Sequence, residues 1–311
     1  MNKNPFVRLI AGRLAGMALT LFAVLSFTFL LTFAVPNDPA RAVLGPRATP
    51  EQIDSVRQRL GLDQPMHVQY GRYLARVAQG DLGFSYSQRR PVMDVLVERL
   101  PYTALLALGA ITFQVVVGVA LGLWSAARAG QGLDKLGLTA SLLVIALPPF
   151  WVGLVLLYVF AYLWPIFPLG GASLPWGLVL PSISLGLAGA AWTSRVMRLE
   201  AYRFLQSDVV RGLRAKGLQP ASILTKHTLR GATGPVLTML SIDLGYFMGG
   251  AVLIESVYNW PGIGLASFLA LKQNDIPLLM GCVIIGSIFV LVLNLVADIA
   301  RTKVDPRVQL S

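Results

Sequence analysis

Few side chains in this sequence are suited to chemistry, and their spacing keeps them apart. The two histidines, His67 and His227, fall in segments predicted on opposite faces of a membrane, so they cannot share a metal ion. Cys282 is the one cysteine and lies in an apolar run, where it reads as a small packing residue. A pair of carboxylates is conceivable only from Asp243 and Glu255. Twelve helical residues would hold those two about 18 Å apart. No G-x-x-x-x-G-K-[ST] occurs, so the sequence contains no phosphate cradle for ATP. Gly262-Ile263-Gly264 follows Pro261 and lacks a third glycine, so it reads as a turn. No Ser/His/Asp or Cys/His set assembles within one compartment. The expectation is a protein that is not an enzyme and that holds no cofactor or metal of its own.

The elements that carry these residues are built for lipid. The chain has 311 residues, 55% apolar and 13% charged, about half the charge of an ordinary soluble domain. Uncharged runs cover 14–37, 100–127, 136–194 and 276–297. A helix needs about 20 apolar residues to cross the hydrocarbon core. The stretch from Arg230 to Lys272 adds one more, interrupted only by Asp243 and Glu255. Six spans are expected, near 10–34, 102–127, 137–163, 177–199, 234–256 and 278–300. All should be helical, because a helix satisfies its own backbone in lipid. The first run is longer than a signal-peptide core, and Phe33-Ala34-Val35-Pro36 is a poor cleavage site. It reads as an uncleaved span.

Basic residues set the expected orientation. Segment 195–233 holds eight: Arg195, Arg198, Arg203, Arg211, Arg214, Lys216, Lys226 and Arg230. Segment 257–277 holds only Lys272. Both termini are therefore placed in the cytoplasm. The nine basic residues of 36–101 sit in a segment long enough to escape the rule. The net charge of +11 is then mostly a topology signal. Without a basic solvated domain it does not support binding to nucleic acid.

This divides the chain into 1–35 (tail and first span), an external segment 36–101, a membrane core 102–300 and a tail 301–311. The external segment opens with a turn at Pro36-Asn37-Asp38-Pro39. Thr49 caps a helix that has Pro50 first and stops at Gly61. Met66 to Val77 forms a second helix, Gly80 to Gly83 a turn, and Pro91 to Arg99 a third helix leading to Pro101. The segment reads equally as a docking cap, as part of a solute path, or as a cover for the spans.

The cytoplasmic segment 200–233 is more specific. Ser207 or Asp208 caps a short helix, with Val209, Val210 and Leu213 apolar at helical spacing. Arg211, Arg214 and Lys216 point elsewhere, and Gly217 ends the helix. Gln219-Pro220 starts a second helix, Ala221 to Arg230. In the spans, Pro148-Pro149 should bend the third, and Gly118-x-x-x-Gly122 and Gly245-x-x-x-Gly249 permit close helix contact. Asp243 should face a pore, a second subunit or a paired residue. Glu255, with Trp260, Pro261 and Gly262 after it, reads as an anchor for the loop beyond span five.

Arg211-Gly212-Leu213-Arg214-Ala215-Lys216-Gly217-Leu218, with Lys226 to Arg230 after it, resembles the cytoplasmic loop of ATP-binding-cassette (ABC) importer permeases. That family shows an E-A-A-x-x-x-G pattern in a coupling helix that enters a cleft of the ATPase. Gly217 matches the glycine, while Arg211, Gly212 and Leu213 stand at the acidic and small positions. The basic residues and the Ala215 to Leu218 ending resemble the dipeptide/oligopeptide branch. Gly80-Asp81-Leu82-Gly83-Phe84-Ser85, Arg99 to Thr103, Gly249 to Gly264 and Asp305-Pro306-Arg307 keep the branch's order.

The resemblance implies an all-α, six-span, type I ABC importer permease in a bacterial inner membrane. It implies a second homologous permease subunit, two ATPase subunits holding ATP and magnesium, and an external substrate-binding protein. Residues 208–217 would couple to the ATPase: ATP would close the two ATPases, push this helix as a lever and turn the spans outward. Peptides are the expected solute, with nickel complexes, glutathione or oligosaccharides as alternatives within the family. An ion-coupled secondary transporter is the remote alternative; no internal repeat supports it.

Overall fold

The computed structural model describes residues 5–34, 44 and 48–304. The expected turn at Pro36–Pro39 and the closing Asp305-Pro306-Arg307 lie outside the described residues. Among those described, helices dominate, and the two short strands Phe84–Ser85 and Arg90–Pro91 pair as an antiparallel hairpin.

Two compact units form, one from residues 1–101 with 262–291 and the other from 102–261 with 292–311. In the first, helix Pro5–Ala34 packs against helix Met66–Ala78. Phe29 sits with its ring centroid 5.1 Å from Tyr70 and 5.5 Å from Tyr73. Ser26 Oγ shares a 2.6 Å hydrogen bond with Tyr70 Oη. Tyr70 and Tyr73 thus lie on the face by which the helix expected over Met66 to Val77 docks. Burial pushes the Tyr73 phenol up to about 12, with Tyr70 adding to the effect. Helix Pro50–Leu60 has the N-cap expected at Thr49 and adds a full capping box: the Thr49 side chain accepts from Gln52 N, and the Gln52 side chain accepts from Thr49 N. Gly61 ends the helix in the left-handed conformation, φ 66°.

The expected break at Pro101 is absent. Residues 92–127 form one helix, Val92–Ala127, with Pro101 inside it. A proline removes a single amide donor and keeps a helical φ, so strong helical sequence on both sides carries the helix through. Gly262-Ile263-Gly264 is also not a turn throughout. Gly262 is the extended residue before helix Ile263–Lys272, and Gly264 lies inside that helix.

In the second unit, helices 92–127, Trp176–Leu205 and Leu229–Val257 share a core of Ala126, Met197, Ala201, Ala232 and Val236. Glycines set how near the first two approach. A Cβ on Gly118 would stand 2.8 Å from Ala190 O, and one on Gly122 2.6 Å from Met197 Cβ. On the partner helix, a Cβ on Gly186 would meet Ala110 O at 2.5 Å. Gly118-x-x-x-Gly122 is thus a contact surface, as its spacing predicts. Gly245 and Gly249 lie in helix 229–257.

Pro148-Pro149 breaks rather than bends its span. Helix Gly132–Ala146 stops, Leu147 and Pro148 are extended, and helix Pro149–Leu157 departs at 100°, continuing as a π-helix over Tyr158–Leu163. Among the described residues, four helical segments are long and apolar enough to cross a membrane: Ala11–Leu31, Val92–Ala127, Trp176–Leu205 and Ile276–Val296. The broken pair 132–146/149–163 makes a fifth if it is a single span. Helix Leu229–Val257 stands where another span was expected.

Candidate functional site

The segment after helix 176–205 is an excursion whose two ends are held together. A Cβ on Gly231 would lie 2.5 Å from the Phe204 ring, so the chain leaves and returns at one point of close packing. Between these ends lies helix Asp208–Ala215, with Ser207 extended before it. Ser207 Oγ does not cap the helix; it donates back to Phe204 O at 2.6 Å. Asp208 supplies the first-turn negative charge and accepts from Arg211 Nη1 at 2.9 Å, an ion pair open to solvent. Gly217 adopts φ +77°, and Leu218 N bonds to Leu213 O, closing the helix as its glycine predicts.

The apolar triplet divides. Val210 is fully buried and Leu213 half-buried, whereas Val209 is 60% exposed. Val210 holds the helix to the body, and Val209 is presented outward. Arg211, Gly212, Arg214, Ala215, Lys216 and Gly217 are exposed around it. The outward surface is cationic, with an apolar residue at its N-terminal end. Beyond Gly217, the expected helix 221–230 does not end at Arg230. Pro220–Ser222 passes into a π-helical turn, Ile223–Thr228, and then into helix 229–257. Neither Gly231 nor Pro235 interrupts it, because a helix tolerates both where neighbours pack against it.

At the far end of helix 229–257, Glu255 is fully buried and accepts from Thr103 Oγ1 at 2.7 Å. Its backbone carbonyl accepts from Trp260 N at 2.8 Å. The Trp260 indole is fully buried and donates to Tyr102 O at 2.9 Å. Tyr258 Oη donates to Gly153 O, and Tyr258 O accepts from Gly171 N. Pro261 is partly exposed next to Trp260, and Gly262 leads into the next helix.

Asp243, in the middle of helix 229–257, accepts from Gln114 Nε2 at 2.5 Å, and the same amide nitrogen lies 2.9 Å from Thr193 Oγ1. Three helices thus meet at one polar cluster. Asp243 and Glu255 have different partners and form no paired-carboxylate site. Among the described residues, no group of three or more His, Cys, Asp or Glu is placed to hold a metal ion.

Sequence reasoning misses four polar partners: Thr103, Gln114, Asp134 and Asp275. Asp134 is buried and holds Arg198, one of the eight basic residues that set the expected orientation. Asp275 accepts from Ser85 Oγ, Ser87 N and Ser87 Oγ at 2.5, 2.9 and 2.6 Å, fastening the hairpin to the start of helix Ile276–Val304. Its place two residues before Pro277 is an N-cap signal legible in the sequence.

The architecture is a set of long apolar helices with a short, anchored helix set between two of them. The chain belongs to the family described as "Binding-protein-dependent transport system inner membrane component", whose model matches residues 118–310. The model of that family's N-terminal part matches residues 6–107. It is an ABC importer permease subunit and not an enzyme.

Among its relatives is the glutathione transport system permease protein GsiC of Salmonella paratyphi A, 36% identical over 96% of this chain and 97% of that one. GsiC of Escherichia coli K12 is 35% identical over the same shares. The fold is the type I importer fold. A chain of the MetNI methionine ABC transporter, in inward-facing conformations, superposes with a TM-score of 0.57 at 17% identity, over 68% of this chain and 97% of that one.

Proposed function

We propose that this chain is the membrane-spanning subunit of an ATP-driven importer of short peptides, with glutathione the first candidate solute. An external binding protein delivers the solute, a second homologous permease subunit completes the pathway, and two ATPase subunits hold ATP and magnesium. Six spans put both termini and the 208–217 segment in the cytoplasm, and the 36–101 segment outside.

The observation that carries this reading is helix 208–215, anchored through Val210 and presenting Val209, Arg211, Arg214 and Lys216 outward. A topology signal needs basic residues and nothing more. An anchored helix with a closed C-terminus has the form of a lever. ATP-driven closure of the ATPases displaces it, and the long helices on either side of it respond as one of two states favoured by a partner's ligand. The relatives' named solute supports the peptide class, because glutathione is a tripeptide.

Asp243 serves on the solute path or at the interface with the second permease subunit, where a carboxylate within a span has its use. An Asp243→Leu complex that assembles normally but transports as well as the parent would remove that role. For the whole reading, a cysteine at Leu213 should cross-link to a co-purified ATPase. Vesicles containing the assembly should take up labelled glutathione only when ATP and the binding protein are both supplied. Uptake driven by an ion gradient through this chain alone would overturn it.

A further inference from the structure

We infer that the Asp134–Arg198 ion pair is the positioning contact through which movement of helix 208–215 reaches helices 92–127 and 132–146. This rests on reading helix 208–215 as the ATPase-coupling element. Asp134 lies in the first turn of helix Gly132–Ala146, and its side chain is 1% exposed. Its carboxylate is saturated. Oδ1 accepts from Ser125 Oγ at 2.5 Å and Arg198 Nε at 2.6 Å. Oδ2 accepts from Gly130 N at 2.8 Å and Arg198 Nη2 at 2.5 Å.

One guanidinium therefore grips, through this carboxylate, three successive pieces of chain: the end of helix 92–127, the turn after it, and the start of helix 132–146. The two-pronged geometry fixes direction as well as distance, which a single hydrogen bond does not. Burial of the Asp134 carboxylate keeps water from replacing Arg198 at low cost.

The other side of the grip leads straight to the lever. Arg198 belongs to helix 176–205, about two turns before its end, and no glycine or proline intervenes before Ser207. A displacement of helix 208–215 passes through the two-residue joint Gln206-Ser207 to the end of helix 176–205, and from there up one continuous helix to Arg198. Arg195, nearly one turn earlier, reaches Leu138 O and Ser141 Oγ at 3.4 and 3.5 Å, contacts too long to carry the same load. The glycine contacts at Gly118 and Gly122 bring helices 92–127 and 176–205 close, but they hold nothing of helix 132–146.

The test uses the assembled transporter in a Cys282→Ala background, with nitroxide labels at Lys135 and Arg203, both exposed. The label separation should stay within about 2 Å between the nucleotide-free and ATP-bound states, since the two helices move together. In Asp134→Asn the separation should change beyond that on ATP binding. The glutathione moved per ATP hydrolysed should fall about tenfold while hydrolysis continues. If Asp134→Asn does not assemble, Arg198→Lys keeps the charge but loses the fork, and Asp134→Leu/Arg198→Met leaves no charge orphaned; both should show the same uncoupling. Separation of the labels in the parent protein would overturn the inference, as would parental label distances and solute-to-ATP ratio in these variants. A Leu213→Cys cross-link to the ATPase that persists alongside such a result leaves the coupling reading standing. Its absence removes that reading instead.

Discussion

Thr103 donates a 2.7 Å hydrogen bond to Glu255 across two long helices, with both side chains buried. Next to it, the Trp260 indole donates to Tyr102 O. One end of helix 229–257 and the chain after it are thereby fastened to helix 92–127. Replacing Thr103 with Val keeps the shape and deletes a donor to a buried carboxylate. The expected loss is about 2 kcal/mol of stability, read as a lowered thermal midpoint in detergent. Thr103→Ser, which keeps the hydroxyl, should lose much less.

Glycine contacts offer a comparison at constant chemistry. Gly122→Ala and Gly137→Ala both gain about 1 kcal/mol of intrinsic helix propensity. A Cβ at 122 stands 2.6 Å from Met197 Cβ and 2.7 Å from Ser194 O, whereas nothing lies within 4 Å of one at 137. Gly122→Ala should therefore be net destabilising by about 1–3 kcal/mol and Gly137→Ala neutral or better. Yield of folded protein and thermal midpoint measure both.

Gly212 separates fold from partner. A Cβ there meets nothing within 4 Å in this chain, and its φ is not left-handed. Gly212→Trp should leave the stability of the isolated subunit within about 0.5 kcal/mol. It should reduce recovery of the ATPase with the complex at least several-fold, because the added ring occupies the presented face. Full recovery of the ATPase with Gly212→Trp would place the contact elsewhere.

Asp275 holds the hairpin through Ser85 and Ser87 and accepts from Leu278 N at the start of its helix. Asp275→Ala should free the turn that ends at Arg89, exposing the Arg89–Arg90 bond. Trypsin should then cut there about tenfold faster or more, as local opening becomes easier. The wild-type cutting rate under the same conditions is the control, and an unchanged rate in the variant would show that the strands alone hold the hairpin.

The order of elements is legible because lipid imposes a length and water a cap. Uncharged runs locate the helices, Thr49 and Gly61 bound one to the residue, and Gly217 closes the short helix between two long ones. These are local properties, determined by side-chain chemistry and backbone φ within a few residues. Where expectation and structure differ, the decisive force is not local. Val209 and Val210 part company because only one of them meets the body of the protein.

The polar partners are less legible still. In the sequence Arg198 is one positive charge among eight and Asp134 a loop acid, since the pairing joins residues far apart in the chain. The sequence by itself determined that this is a helical membrane protein with a capped, basic elbow. Tertiary structure decided which charges are buried together, which face of the elbow is offered outward, and which helices are fastened to it. Those depend on distances across helices, which no periodicity along a single run of residues records.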